Sequence, residues 1–98
     1  MFKATACGRL TKNAKVIDYS NGNGTMVVCT LACNNSRNPD ASPTYVDCLF
    51  MNRGESLAQY LLQGNQLTCS GSLELKKNGD YSNLTMVVDD FDFGAKKQ

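Results

Sequence analysis

The sequence predicts an all-β domain of five short strands, with one helix between the third and fourth. Three observations predict it. Runs of β-branched, aromatic and sulfur-bearing residues recur in the alternating pattern of half-buried strands, most clearly at residues 25–33 (TMVVCTLAC) and 45–51 (YVDCLFM). Stretches rich in Asn, Gly, Ser and Pro separate these runs. One segment, residues 54–63, changes to helical spacing, with Leu57, Ala58, Leu61 and Leu62 on one side.

In chain order, residues 2–7 alternate and read as the first strand, with Gly8 marking a bulge or tight bend after it. Residues 12–15 form a polar turn, and residues 16–19 can continue the sheet beyond it. Residues 20–24 (SNGNG) are a turn, because Asn and Gly accept positive φ. The second main strand follows at residues 25–33, with Val27, Cys29, Leu31 and Cys33 as its apolar face. Residues 34–44 hold both prolines and no large apolar side chain, so they read as an exposed loop, long enough to suggest function.

The third strand, residues 45–51, is the one the chain is organised around. Val46, Cys48 and Phe50 share a wholly apolar face. Tyr45, Asp47, Leu49 and Met51 share the other, which suits either a binding platform or a plain wet sheet face. Asn52-x-x-Glu55 is compatible with a capping box for a helix of about ten residues ending near Gly64, close to the mean helix length. Residues 67–76 are the fourth strand, with a bend at Gly71. Asn78-Gly79 predicts a tight hairpin into the fifth strand, residues 82–89, followed by a tail. Five strands with one helix between the third and fourth is the order of the OB-fold, a small Greek-key barrel. The expected division is an OB-fold domain over residues 1–93 and a short basic tail over 94–98.

The composition narrows the function classes. The chain has 98 residues, 42% of them apolar and 19% charged, which suits one modest globular core. No apolar run approaches the ~20 residues of a membrane helix, and no long apolar leader opens the chain, so a cytoplasmic protein with no membrane partner is expected. Net charge is +1, so a nucleic-acid surface requires local clustering of the ten Lys and Arg.

Five cysteines occur without any Cys-x-x-Cys. Cys29 and Cys33, four apart on one strand, stand about 13 Å apart, too far for a shared metal or a disulfide. With no histidine in the chain, neither a metal site nor a cofactor is expected, and the cysteines read as reduced, small apolar residues. Enzymatic activity is not expected either: a nucleophile lacks a histidine base, and no paired carboxylates fall in a readable motif.

Several segments resemble, in order, the bacterial and phage single-stranded DNA-binding proteins. Gly8-Arg9-Leu10-Thr11 resembles the family's opening G-R-L-T, and Cys29-Thr30-Leu31-Ala32 its second strand. Residues 45–49 are similar to its third strand, and residues 57–64 (LAQYLLQG) to its helix and exit. Gly71-Ser72-Leu73 and Met86-Val87-Val88 resemble its later strands. The resemblance implies an OB-fold that binds single-stranded DNA with little sequence preference, self-associates as a homodimer or homotetramer, and has no catalytic activity. It implies service in replication, recombination or repair, with proteins of those processes as further partners. The missing acidic tail implies a short phage-type or plasmid-type form, in the host cytoplasm if phage-encoded, or a trimmed chain.

The resemblance also nominates residues. Tyr45 sits at a stacking aromatic position. Met51 and Arg53 match a second ring and the basic residue after it. Lys76 and Lys77 match a basic pair near the hairpin tip, and Arg37 is the nearest match to an aromatic position in the long loop. Arg9 and Lys12, with Lys15, line the first turn and can extend a phosphate track or simply be solvated. Tyr81 lies across the hairpin as a cross-strand partner or a further stacking ring. Tyr19 and Tyr60 read as structural. The physics suits these residue types, since bases stack on flat side chains while Lys and Arg hold phosphates. A second reading is an OB-fold adaptor that binds a protein of the replication or restart machinery, with weak nucleic-acid binding. A third is an RNA-binding OB protein.

Overall fold

A computed structural model of the chain describes residues 2–18, 24–34, 37–38, 40–78 and 81–93, with the backbone alone described at residues 77, 78, 81 and 82. Within them the elements run β1 (Lys3–Leu10), β2 (Lys15–Asp18), β3 (Thr25–Cys33), β4 (Thr44–Met51), α1 (Glu55–Ala58), β5 (Gln66–Asn78) and β6 (Tyr81–Asp92). The five expected strands are present. The stretch after the first turn adds a sixth, β2, which pairs with β3 alone at the edge of the sheet.

The five main strands pair in a ring. β1 lies antiparallel to β5, β5 to β6, and β4 to β3, while β4 and β6 run parallel. The circuit returns through Arg9↔Ala32 and Leu10↔Leu31, which join β1 to β3. This is the OB-fold architecture that the element order predicts.

Gly8 does not interrupt β1, as its sequence reading suggested. It pairs in register with Leu67 while the strand continues to Leu10. A Cβ there would overlap the Ala32 carbonyl, so the glycine allows β1 to reach β3 and complete the circuit. Gly71 does mark an irregularity. The register shifts between Ser70 and Gly71, leaving Asp89 of β6 without a partner residue. A Cβ on Gly71 would overlap the Val87 carbonyl. The extra residue, Asp89, carries its carboxylate to the Lys3 ammonium at 3.0 Å.

The core is the apolar face read from β3 and β4, joined by the other elements. Val27, Leu31, Cys48, Leu61, Leu67 and Met86 are fully buried, with Phe50, Cys69, Leu10, Cys29, Val46, Leu57 and Ala58 around them. β6 extends past the expected strand end at residue 89. Its Phe91 meets Phe50 edge-on at 5.2 Å, so this residue belongs to the sheet and not to a tail. Residues 94–98, the expected basic tail, lie outside the described residues.

The helix is far shorter than the ten residues its spacing suggests. It spans four residues, and its N-cap is Gly54, with no side-chain cap hydrogen bond, so the Asn52–Glu55 capping box does not form. Asn52 instead takes a left-handed φ of 60°, a conformation Asn tolerates, in the turn after β4. Leu61 is fully buried in the core, and its carbonyl accepts from the Ala14 amide. The Gln63 amide donates to Asn13 Oδ1 and the Gly64 amide to the Leu10 carbonyl. Backbone groups that would have continued the helix are thus partnered by β1 and the turn after it. Gly64, with φ 86°, sits in a turn closed by the Asn65 amide on the Leu62 carbonyl, not at the helix end.

All five cysteines are free thiols. Cys48 and Cys69 bring their sulfurs within 3.6 Å inside the core. Hydrogen bonding with Cys29 and Cys69, then burial, pushes the Cys48 thiol far above its ordinary range. Burial, first of all, raises that of Cys33. Both behave as apolar, protonated side chains. Among the described residues no group of His, Cys, Asp or Glu is placed to hold a metal ion, and no helix is long and apolar enough to cross a membrane.

Candidate nucleic-acid interface

The outward face of β4 is the centre of a broad sheet surface. Val46, Cys48 and Phe50 are buried, whereas Tyr45 is 56% exposed and Met51 38% exposed. Cross-strand pairing sets neighbours beside each outward residue. On β3, Ala32 lies opposite Tyr45, Thr30 opposite Asp47, Val28 opposite Leu49 and Met26 opposite Met51. On the other flank β6 sets Val87 beside Leu49 and Thr85 beside Asp47. The edge strand β2 adds Ile17 beside Met26 and Lys15 beside Val28.

The surface therefore has three zones. The Met51 end is apolar, with Ile17, Met26, Leu49 and Val87. Among the described side chains, Tyr45 is the exposed ring of the opposite end. Between them the Thr30 hydroxyl donates to Asp47 Oδ1 at 2.8 Å. Two exposed lysines border the surface. Lys15 stands on the β2 edge, and Lys76 on β5 pairs with Asn83, one residue before the Leu84 that lies beside Val46. Lys76 is thus level with Tyr45 and two strands away, about 10 Å at the usual strand spacing.

Tyr45, Met51 and Lys76, three of the residues nominated from sequence, are brought to one face. Two others are committed elsewhere. Arg9 donates through Nη1 to the Gly64 carbonyl at 3.0 Å, tying β1 to the turn after the helix. The Arg53 guanidinium lies over the Phe91 ring, 5.5 Å from its centroid. Lys12 is exposed on the turn after β1, and Arg37 is exposed in the long loop. β5 and β6 pair out to Lys77↔Ser82 and Asn78↔Tyr81, so the connection is residues 79–80, one place later than the Asn-Gly motif suggests. Residues 79 and 80, Tyr19 and the side chains of Lys77 and Tyr81 lie outside the described residues. Tyr60 is exposed and sits 6.1 Å from the Phe93 ring, centroid to centroid.

Sequence reasoning missed the β3, β2 and β6 share of the surface. Met26, Val28 and Thr30 alternate with the core residues of β3, a signal present in the sequence. Their assembly beside β4 depends on register, which alternation alone does not supply.

Residues 1–93 match the model of a family described as the single-strand binding protein family. The chain belongs to that family. It is 34% identical over 103 residues to a single-stranded DNA-binding protein of Clostridium perfringens (strain 13 / Type A). That alignment covers 95% of this chain and 65% of the relative, so the chain spans just under two thirds of the relative's length. The fold is shared with the small single-stranded DNA-binding protein of Streptomyces coelicolor in its crystal structure. There the TM-score is 0.76 at 15% identity, over 94% of this chain and 93% of that one. Among the described side chains this face carries Tyr45, Met26, Met51 and a central Asp47.

Proposed function

We propose that this family member binds single-stranded DNA on the β3–β4–β6 face, stacking a base on Tyr45 and holding phosphates with Lys76 and Lys15. The observation that carries the reading is Tyr45, an exposed ring at the end of a continuous sheet face and level with an exposed lysine. Stacking on such a ring contributes about 1–3 kcal/mol per base and tolerates any base. The apolar end around Met51 and Met26 offers a softer surface for a second base. Lys77, Tyr81, Arg37 and Lys12 extend the contact from the hairpin, the long loop and the first turn. The chain acts by binding and not by catalysis, self-associates, and serves replication, recombination or repair in the cytoplasm. The name of the Clostridium relative supports the DNA part of this reading.

The test is tyrosine fluorescence during titration with oligo-dT at low and high salt. The chain has four tyrosines and no tryptophan to mask them. Saturable quenching at low salt that fades with added salt is the expected result. No change at either salt overturns the reading and favours the adaptor alternative, which the net charge of +1 already suits.

A further inference from the structure

Asp47 is an odd residue to find in the middle of a surface meant for a polyanion. It sits between Tyr45 and Leu49 on the outward face of β4, half-buried, with Thr30 on one flank and Thr85 on the other. The Thr30 hydroxyl holds Oδ1 at 2.8 Å, and among the described residues Asp47 forms no salt bridge. The carboxylate is therefore anchored and retains acceptor capacity on its second oxygen. A phosphate placed over it would be repelled, so a strand crossing this face runs its phosphates toward the lysines at the borders and its base edges inward. A base stacked on Tyr45 then presents its edge about two residues along the strand, roughly 7 Å away, where Asp47 stands.

We propose that Asp47 is a specificity-determining residue that makes this face discriminate among bases by accepting hydrogen bonds from exocyclic amines. The inference rests on the single-stranded DNA reading above. Cytosine offers an N4 amine to a carboxylate, and thymine offers a carbonyl oxygen at the same position. The two are both pyrimidines of nearly equal size, so stacking area on Tyr45 scarcely separates them. Asp47 attracts the first and repels the second, biasing a platform that stacking alone would leave indifferent.

The experiment compares oligo-dC with oligo-dT of equal length, at mildly alkaline pH where cytosine is unprotonated, in the wild type, Asp47→Asn and Asp47→Ala. Asparagine keeps the shape and a carbonyl for Thr30, but its amide can donate to thymine as readily as it accepts from cytosine. The readout is the ratio of the two affinities, which removes differences in oligonucleotide stiffness common to all three proteins. The ratio is expected to shift toward oligo-dT by about fivefold or more in both variants, as befits the loss of one charge-assisted contact. Binding of both oligonucleotides with an unchanged ratio in Asp47→Asn overturns the role of Asp47 and leaves the binding reading standing. Failure of the wild type to bind either oligonucleotide overturns both.

Discussion

The Arg53 guanidinium lies over the ring of Phe91, which in turn meets the buried Phe50 edge-on. The column continues outward, with Phe93 5.7 Å from Phe91 and Tyr60 6.1 Å from Phe93. Arg53 thus lies over the second ring of a chain of edge-on and tilted ring contacts that leads from the core to the surface. Arg53→Ala is expected to lower stability by about 0.5–1 kcal/mol, the usual worth of an exposed cation–π contact. Urea unfolding measures this, and oligonucleotide affinity should move less than twofold. A several-fold affinity loss at unchanged stability would assign the residue to the phosphates instead.

Gly8 and Gly71 are each pressed against a neighbouring strand's carbonyl where a side chain has no room. Gly71→Ala must push β5 from β6, and Gly8→Ala must push β1 from β3. Each is expected to cost about 1–3 kcal/mol or more, as overpacking does. Gly64 is the comparison. A Cβ there meets nothing within 4 Å, but φ is 86°, so Gly64→Ala should cost only the backbone penalty of roughly 1–2 kcal/mol. Thermal unfolding of the three variants checks the ordering.

The alternation of β3 and β4 was legible because each strand buries one face, and Val27, Leu31, Cys48 and Phe50 are where period two puts them. The helix was misjudged because Leu61 fits both a helical stripe and a core-facing turn, and the choice was made by Asn13, Ala14 and Leu10, some fifty residues earlier in the chain. Gly8 looked like a break because a close approach between strands leaves the same single-residue mark as a bulge. Of the candidate face, the outward exposure of Tyr45 could be read from its place on β4. That Arg53 and Arg9 turn to Phe91 and to the Gly64 carbonyl could not, since both contacts join residues nearly forty or more positions apart.

The buried thiols give the stability a pH dependence. The folded state raises the Cys48 pKa, so above the ordinary thiol value of 9.0 the unfolded chain releases a proton that the folded one keeps. Stability from this group is fully present below that pH and is lost as pH rises beyond it, offset in part by Cys69, whose thiol the hydrogen bond with Cys48 shifts the other way. Denaturant midpoints should therefore fall steadily above about pH 9, and Cys48→Ala should flatten the decline although it lowers stability at neutral pH. A thiol reagent at neutral pH should label exposed Cys7 first and reach Cys48 and Cys69 only on unfolding.

Tyr45 and Lys76 separate the two forces proposed for DNA. Removing the ring in Tyr45→Ala should weaken oligo-dT binding by about five- to 150-fold, the equivalent of one stacked base, at every salt concentration. Tyr45→Phe keeps the ring and should bind nearly as the wild type does. Lys76→Ala should weaken binding mainly at low salt and reduce the slope of log affinity against log salt by about 0.7, the share of one phosphate contact on a single strand. Both side chains are exposed, so unfolding midpoints should stay within about 0.5 kcal/mol of the wild type. The combined variant Tyr45→Ala/Lys76→Ala/Lys77→Ala should lose most binding while remaining folded. Unchanged affinity in that protein would move the interface away from this face, because neither stacking nor phosphate contact there could then carry it.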